Sequence, residues 1–146
     1  MANVIYRGPI KDEPETVNKP VAGAYLPGIL VTESATALTV AVAADMEKDL
    51  LVLSNARYVG QDVATAYTSG DTGVAYRPRP GEIYQVRLAG ATYAYNAPLT
   101  VGASGYLEAT STAEKVVAYF QGTAGAITAG ALADVRIANS FLTAVA

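Results

Sequence analysis

The sequence has no cysteine, no histidine and no tryptophan among its 146 residues. Without cysteine there is no disulfide and no thiolate site, and the redox compartment leaves no mark on the chain. Without histidine, the commonest general base and the commonest metal ligand are both missing. Charge is sparse as well: 16% of residues are Asp, Glu, Lys or Arg, the net charge is −3, and the ten basic residues are scattered. Phosphate recognition needs clustered Lys and Arg, so this balance argues against a nucleic-acid partner. No apolar run reaches membrane length before a charge or a turn interrupts it, which argues against a membrane partner. The first residues, MANVIYRGPIKDE, lack the basic-then-apolar order of a signal peptide, and synthesis in the cytoplasm is expected.

What the chain does have is small apolar residues. The hydrophobic fraction is 51%, carried mostly by Ala, Val and Leu, with ten Tyr and two Phe. A surface so poor in charge must be built from Ala, Thr, Ser and Gly, and such surfaces are often covered in part by neighbouring subunits. The length suits one domain that closes a single core without covalent staples.

Residues 1–28 differ from the remainder. They carry Pro9, Pro14, Pro20 and Pro27 around the charged run Lys11-Asp12-Glu13-Pro14-Glu15. Each proline removes a backbone donor and biases its predecessor toward extended geometry, so the segment reads as an arm and not a helix. Its apolar anchors, Ile5, Tyr6, Val17, Tyr25 and Leu26, are held either by the chain's own domain or by a partner subunit. As an arm it is expected to add little to the stability of a domain spanning residues 29–146.

From Ile29 onward the pattern is of short strands. Ile29–Thr32, Ala37–Ala43, Leu50–Ser54 and Val63–Thr68 are strand-like, and 69–73 (SGDTG) and 77–81 (RPRPG) are connections. In the central stretch Tyr84, Val86 and Leu88 fall on one face and Gln85 and Arg87 on the other. Leu99 and Val101 repeat the alternation, and the turn Gly102-Ala103-Ser104-Gly105 leads into Tyr106-Leu107-Glu108. In the run Glu114–Gln121, Val116, Ala118 and Phe120 share one face, and Val117 and Tyr119 the other. One small core uses only one face, which makes Val117 and Tyr119 candidate oligomer-interface positions. Residues 122–130 read as a small-residue loop, and 131–139 as a closing strand with Leu132, Val135 and Ile137 in the core. Short strands at this spacing, with no long helical pattern, predict an all-β antiparallel sandwich or small barrel.

Little in the chain suggests chemistry. Asp45, Glu47 and Asp49 alternate in a charge run that reads as a solvated loop, with a weak calcium site as the alternative. Ser104 lies between glycines but misses the G-x-S-x-G spacing, and Gly122, Gly125 and Gly130 are not followed by GK[ST]. Neither an enzyme nor a cofactor or metal site is expected.

The order of residues from Pro98 to Leu107 (PLTVGASGYL), Val116 to Tyr119 (VVAY) and Ala129 to Ile137 (AGALADVRI) resembles the C-terminal half of the head decoration, or capsid cement, proteins of tailed bacteriophages. Their pattern runs "pL.vG..G.l", then "vvAya", then "aGaladVri". The resemblance implies a small β-barrel or β-tulip-like module, usually a homotrimer, on the outer capsid surface. It also implies that the N-terminal arm adds a strand to the major capsid protein, with Ile5, Tyr6, Arg7, Ile10, Val17, Tyr25 and Leu26 as the capsid-binding residues. The competing reading is a surface β-sandwich binding module that recognises carbohydrate or a receptor through Tyr67, Tyr76, Tyr93 and Tyr95, with Gln61, Gln85 and Asn96 as the available amides.

Overall fold

The computed structural model describes residues 4–9 and 13–138. Among them the chain forms thirteen strands: β1 (Tyr6–Gly8), β2 (Thr16–Pro20), β3 (Leu30–Glu33), β4 (Leu38–Val40), β5 (Leu50–Ser54), β6 (Thr72–Tyr76), β7 (Ile83–Arg87), β8 (Ala91–Tyr93), β9 (Pro98–Val101), β10 (Leu107–Ala109), β11 (Ala118–Phe120), β12 (Gly125–Ile127) and β13 (Leu132–Ile137). The all-β class is as the alternation predicts. No helix of the described residues is long and apolar enough to cross a membrane.

The strands form a six-stranded sheet, β1-β7-β13-β11-β9-β10, a five-stranded sheet, β2-β6-β5-β3-β4, and the two-stranded pair β12-β8. Every strand pair is antiparallel. The six-stranded sheet curls until Leu88, just past β7, makes an isolated parallel bridge with Leu107 of β10. Ala89 N donates to Leu107 O there at 2.8 Å. The curl is barrel-like and fastened at one point; no sheet closes into a barrel.

The core follows from which faces the two large sheets share. Tyr84 and Val86 of β7, Leu99 and Val101 of β9, Ala118 and Phe120 of β11 and Val135 of β13 pack with Leu30, Leu50, Val52 and Tyr76 of the five-stranded sheet. The opposite face of that second sheet is covered by the chain's own loops, where Leu51, Leu53, Val31 and Ala75 meet Val21, Ile29, Ala56 and Tyr67. β5 is the middle strand, so all five of its residues are buried, and LLVLS reads as a continuous apolar run with no alternation.

Residues 4–9 and 13–28 contain two extended strands, β1 and β2, and their packing corrects the expectation of a separable arm. β1 pairs with β7, placing Tyr6 opposite Tyr84, and β2 pairs with β6 along its whole length. Both are edge strands, where proline is tolerated because one row of backbone groups needs no ladder partner. Ile5, Val17 and Val21 are buried in the two apolar clusters. The segment's low apolar content misleads because an edge strand needs only a few inward residues.

Three further expectations change. Residues 63–68 form a loop: the Asp62 carboxylate accepts from Ala64 N and Thr65 Oγ1, and Gln61 Nε2 donates to Thr65 O, leaving Val63 and Tyr67 as buried anchors. Within the expected small-residue loop at 122–130, β12 pairs with β8. The run 37–43 stops as a strand at Val40 and turns through Ala43–Asp45. The apolar end FLTAVA lies outside the described residues.

One glycine of the resembling turn has a backbone reason. Gly105 sits at φ +72°, and a Cβ there would lie 2.5 Å from the Leu30 carbonyl oxygen, which cannot move without disturbing β3. At Gly102 the φ is −112°, and an added Cβ would meet only the Glu108 carboxyl group, the far end of a flexible side chain. Gly105→Ala is therefore expected to lower the unfolding free energy by about 2–3 kcal/mol, combining a strained φ with a steric clash. Gly102→Ala should cost less than half as much. Equal midpoints for the two variants in urea would count against this account.

Candidate interaction surfaces

Two of the three carboxylates of the 45–49 run are paired with basic side chains. The Asp45 carboxylate is buried, accepts from Val42 N at 3.0 Å and pairs with Lys48 at 2.7 Å. Lys48 foremost, then the Val42 amide, hold its pKa below the usual carboxylate value. Asp49 points to Arg77, whose guanidinium also pairs with Glu33 at 3.1 Å and Glu15 at 3.6 Å. Among the described residues no group of three or more Asp or Glu side chains is placed to hold a metal ion. Ser104 adopts a left-handed φ of +59° in the turn before β10.

The arginines of the Arg-Pro-Arg-Pro connection are likewise taken up inside the chain. Arg77 ties β2, β3 and the loop before β5 together, and Lys19 adds a 2.6 Å pair to Glu33. Lys19 first, and Arg77 next, lower the pKa of Glu33. Arg79 binds the Glu82 carboxylate through Nε at 3.0 Å and Nη2 at 2.7 Å, and Tyr84 Oη donates to the same group at 2.9 Å. Burial pushes Glu82 upward, but these donors outweigh it and the net shift is downward. Desolvation, with Glu82 nearby, pushes the Tyr84 phenol up. These contacts stabilise the connection.

The tyrosines proposed for sugar binding are not assembled into a platform. Tyr67, Tyr76 and Tyr93 are buried. Tyr76 packs against Tyr6 and Tyr84 with ring centroids 6.0 Å apart, and Tyr93 stacks on Phe120 at 5.5 Å. Gln85 is buried, and Gln61 is spent within the 55–65 loop. Tyr95 alone of the four is exposed, beside Asn96, with its hydroxyl 3.1 Å from Gln121 Oε1.

The positions proposed for capsid binding separate into two groups. Ile5 and Val17 face the chain's own core, which corrects their assignment as anchors for a partner. Tyr6 is half-buried in the ring cluster, Arg7 is exposed with Asp134 3.8 Å away, and Tyr25 and Leu26 are half-buried. Ile10 lies outside the described residues. Of the proposed interface pair, Tyr119 is half-buried opposite Arg136, and Val117 is half-buried behind a groove.

That groove and one loop tip are two apolar surface features of the described residues, and no motif of the sequence marks either. The groove encloses about 470 Å³ between Leu30, Leu50, Met46, Val116, Val117 and Ile137, with Pro78 and Pro80 along one side. Its walls come from segments far apart in sequence, so no local motif marks it. The tip is the turn Arg57–Val59, where Tyr58 is 71% exposed and Val59 70%. Two adjacent large apolar residues with no alternation around them were the only available signal.

Comparison with protein-family models finds no match to this chain, and no curated protein matches it.

Proposed function

We propose that the chain is a structural protein that decorates an expanded tailed-phage capsid from outside, as a homotrimer, and cements it by bridging neighbouring major capsid proteins. The observation that carries this reading is where the resembling residues go. Pro98–Leu107, Val116–Tyr119 and Ala129–Ile137 contribute β9, the start of β10, β11 and β13, which are consecutive neighbours in one sheet. A pattern spread over 40 residues of sequence thus corresponds to one contiguous structural unit. Charged side chains that pair within the chain, and the sparse charge overall, suit a protein that contributes contact surface instead of chemistry.

The packing of residues 4–9 and 13–28 alters how a capsid would be engaged. Among the described residues β1 and β2 are each the outermost strand of a sheet. A capsid segment adding to such an edge would be held by main-chain hydrogen bonds, with Tyr6, Arg7, Tyr25 and Leu26 nearby to contribute side-chain contacts. The contact per copy is small, and three linked copies gain lasting attachment through effective concentration.

A ligand that binds only the expanded lattice stabilises it by mass action, about 2.7 kcal/mol per site at a hundredfold excess over Kd. Purified protein is expected to co-sediment with expanded shells of its phage, to bind unexpanded precursor shells poorly, and to raise the melting temperature of the expanded ones. Equal binding to both shell forms with no gain in melting temperature would overturn the cement reading.

A further inference from the structure

The groove and the exposed tip lie at opposite ends of the same strand. Leu50, the first residue of β5, lines the groove together with the loop before it, and the tip at Arg57–Val59 follows two residues after Ser54, the last residue of β5. Five residues of strand separate the two features by about 15 Å at roughly 3.3 Å per residue. The tip of one chain therefore cannot fill the groove of the same chain.

The tip is rigid. Asn55 is buried and its Nδ2 donates to Gln61 O at 2.7 Å, and Gln61 Oε1 accepts from Ala56 N at 2.7 Å. Val59 N and Gly60 N close the turn onto Ala56 O and Arg57 O at 3.1 and 3.0 Å. The Asn55 and Gln61 amides thus order the backbone that presents two large exposed apolar side chains. Such preorganisation makes sense for docking, because the ordering cost is met before contact. A groove of about 470 Å³ falls in the size range that encloses drug-sized groups, roughly 300–1,000 Å³, enough for a tyrosine and a valine side chain.

The charges agree with the shapes. Arg57 stands beside the tip, 53% exposed, with Glu13 no nearer than 3.9 Å. Four charged residues line the groove: Lys48 is paired with Asp45, Asp49 with Arg77, and Lys115 also has a partner. Glu47 is left with no ion pair among the described residues. A free carboxylate at the groove and a weakly held guanidinium beside the tip are complementary.

We propose that a second copy of this chain seats its Tyr58–Val59 tip in the groove behind Val117, with its Arg57 facing Glu47, so that copies join head to tail. The contact uses two different patches, so an open row of docked copies still offers one free tip and one free groove until a ring closes. It specifies the self-association in the reading above, and its test uses no capsid, so failure here and failure of capsid binding are separate results.

The test is sedimentation velocity of the full chain over a micromolar concentration series. Wild type is expected to associate, and Val59→Asp, at an exposed position, to weaken association about thirtyfold or more. Val117→Asp should do the same from the groove side. An equimolar mixture of the two variants should give a dimer that grows no further, because one supplies the groove and the other the tip. The exposed pair Arg57→Glu and Glu47→Arg keeps the proposal open to refutation if Val117→Asp does not fold: each alone should weaken association about fivefold and the double variant should restore it. A monomeric wild type, association indifferent to Val59→Asp, or no recovery in either the mixture or the charge-swapped double variant would overturn the head-to-tail contact.

Discussion

A chain beginning at Ile29 is expected to lose its cooperative thermal transition. Deleting residues 1–28 removes β1 from the edge of the six-stranded sheet and β2 from the edge of the five-stranded sheet. It strips Gln85 N of its 2.7 Å bond to Ile5 O, Leu53 O of its 2.7 Å bond from Gly28 N, and Arg87 N of its 2.8 Å bond to Gly28 O. It also takes three side chains out of the core, Ile5, Val17 and Val21. At about 1.5–3 kcal/mol for each buried aliphatic side chain, those three alone contribute roughly 5–9 kcal/mol, against a total stability of about 5–15 kcal/mol for a typical domain. Compactness of the unfolded chain lowers the first figure by roughly 10–40%, which still leaves most of the margin consumed. Circular dichroism against temperature is the measurement. A truncated protein that melts within a few degrees of the full chain would show that residues 1–28 are, after all, an appendage.

The same segment shows where sequence patterning stops being informative. Prolines and sparse apolar residues describe an extended strand at a sheet edge as well as they describe a free arm, and β2 (TVNKP) has a single inward apolar residue, Val17. Alternation needs several such residues in register, which is why β7, with Tyr84 and Val86 inward, and β9, with Leu99 and Val101, were legible. β8 and β12 were not, because ATY and GAI are three residues long and mostly small. The expected strand at 63–68 failed for a different reason: side chains of Gln61 and Asp62 capture backbone groups that a ladder would have used. The two faces of the 116–120 run were assigned correctly, with Val116, Ala118 and Phe120 buried and Val117 and Tyr119 half-buried. The groove beside Val117 was not foreseeable, because Met46 and Ile137 reach it from distant parts of the chain.

The alternation of β7 places Arg87 on the polar face, yet replacing it is expected to be among the most damaging single substitutions. Its guanidinium donates from Nε to Pro27 O at 2.8 Å, from Nη1 to Gly130 O at 2.7 Å and from Nη2 to Val63 O at 2.6 Å. Those carbonyls lie 60, 43 and 24 residues away in sequence, so nothing local in the pattern announces them. Burial lowers the guanidinium's pKa from its ordinary value, but arginine stays charged in proteins, so three main-chain dipoles carry the task that a carboxylate would otherwise perform. One side chain thereby fastens the N-terminal segment, the 55–71 loop and the loop before β13 onto β7. Arg87→Met keeps most of the hydrocarbon and leaves three carbonyls short of a charged donor, each such bond being worth about 1.5–3 kcal/mol. Relaxation and water entry recover part of that, and a net loss of about 3–5 kcal/mol is expected. Arg87→Lys should fall between the two, since one ammonium cannot span three carbonyls set around a planar fork. Urea unfolding of the three proteins, with hydrogen exchange at Gly28 and across residues 55–71, separates a clamp from a spacer. If Arg87→Met unfolds within about 0.5 kcal/mol of the parent, the size of an ordinary surface substitution, the clamp contributes nothing and packing alone holds the three segments together.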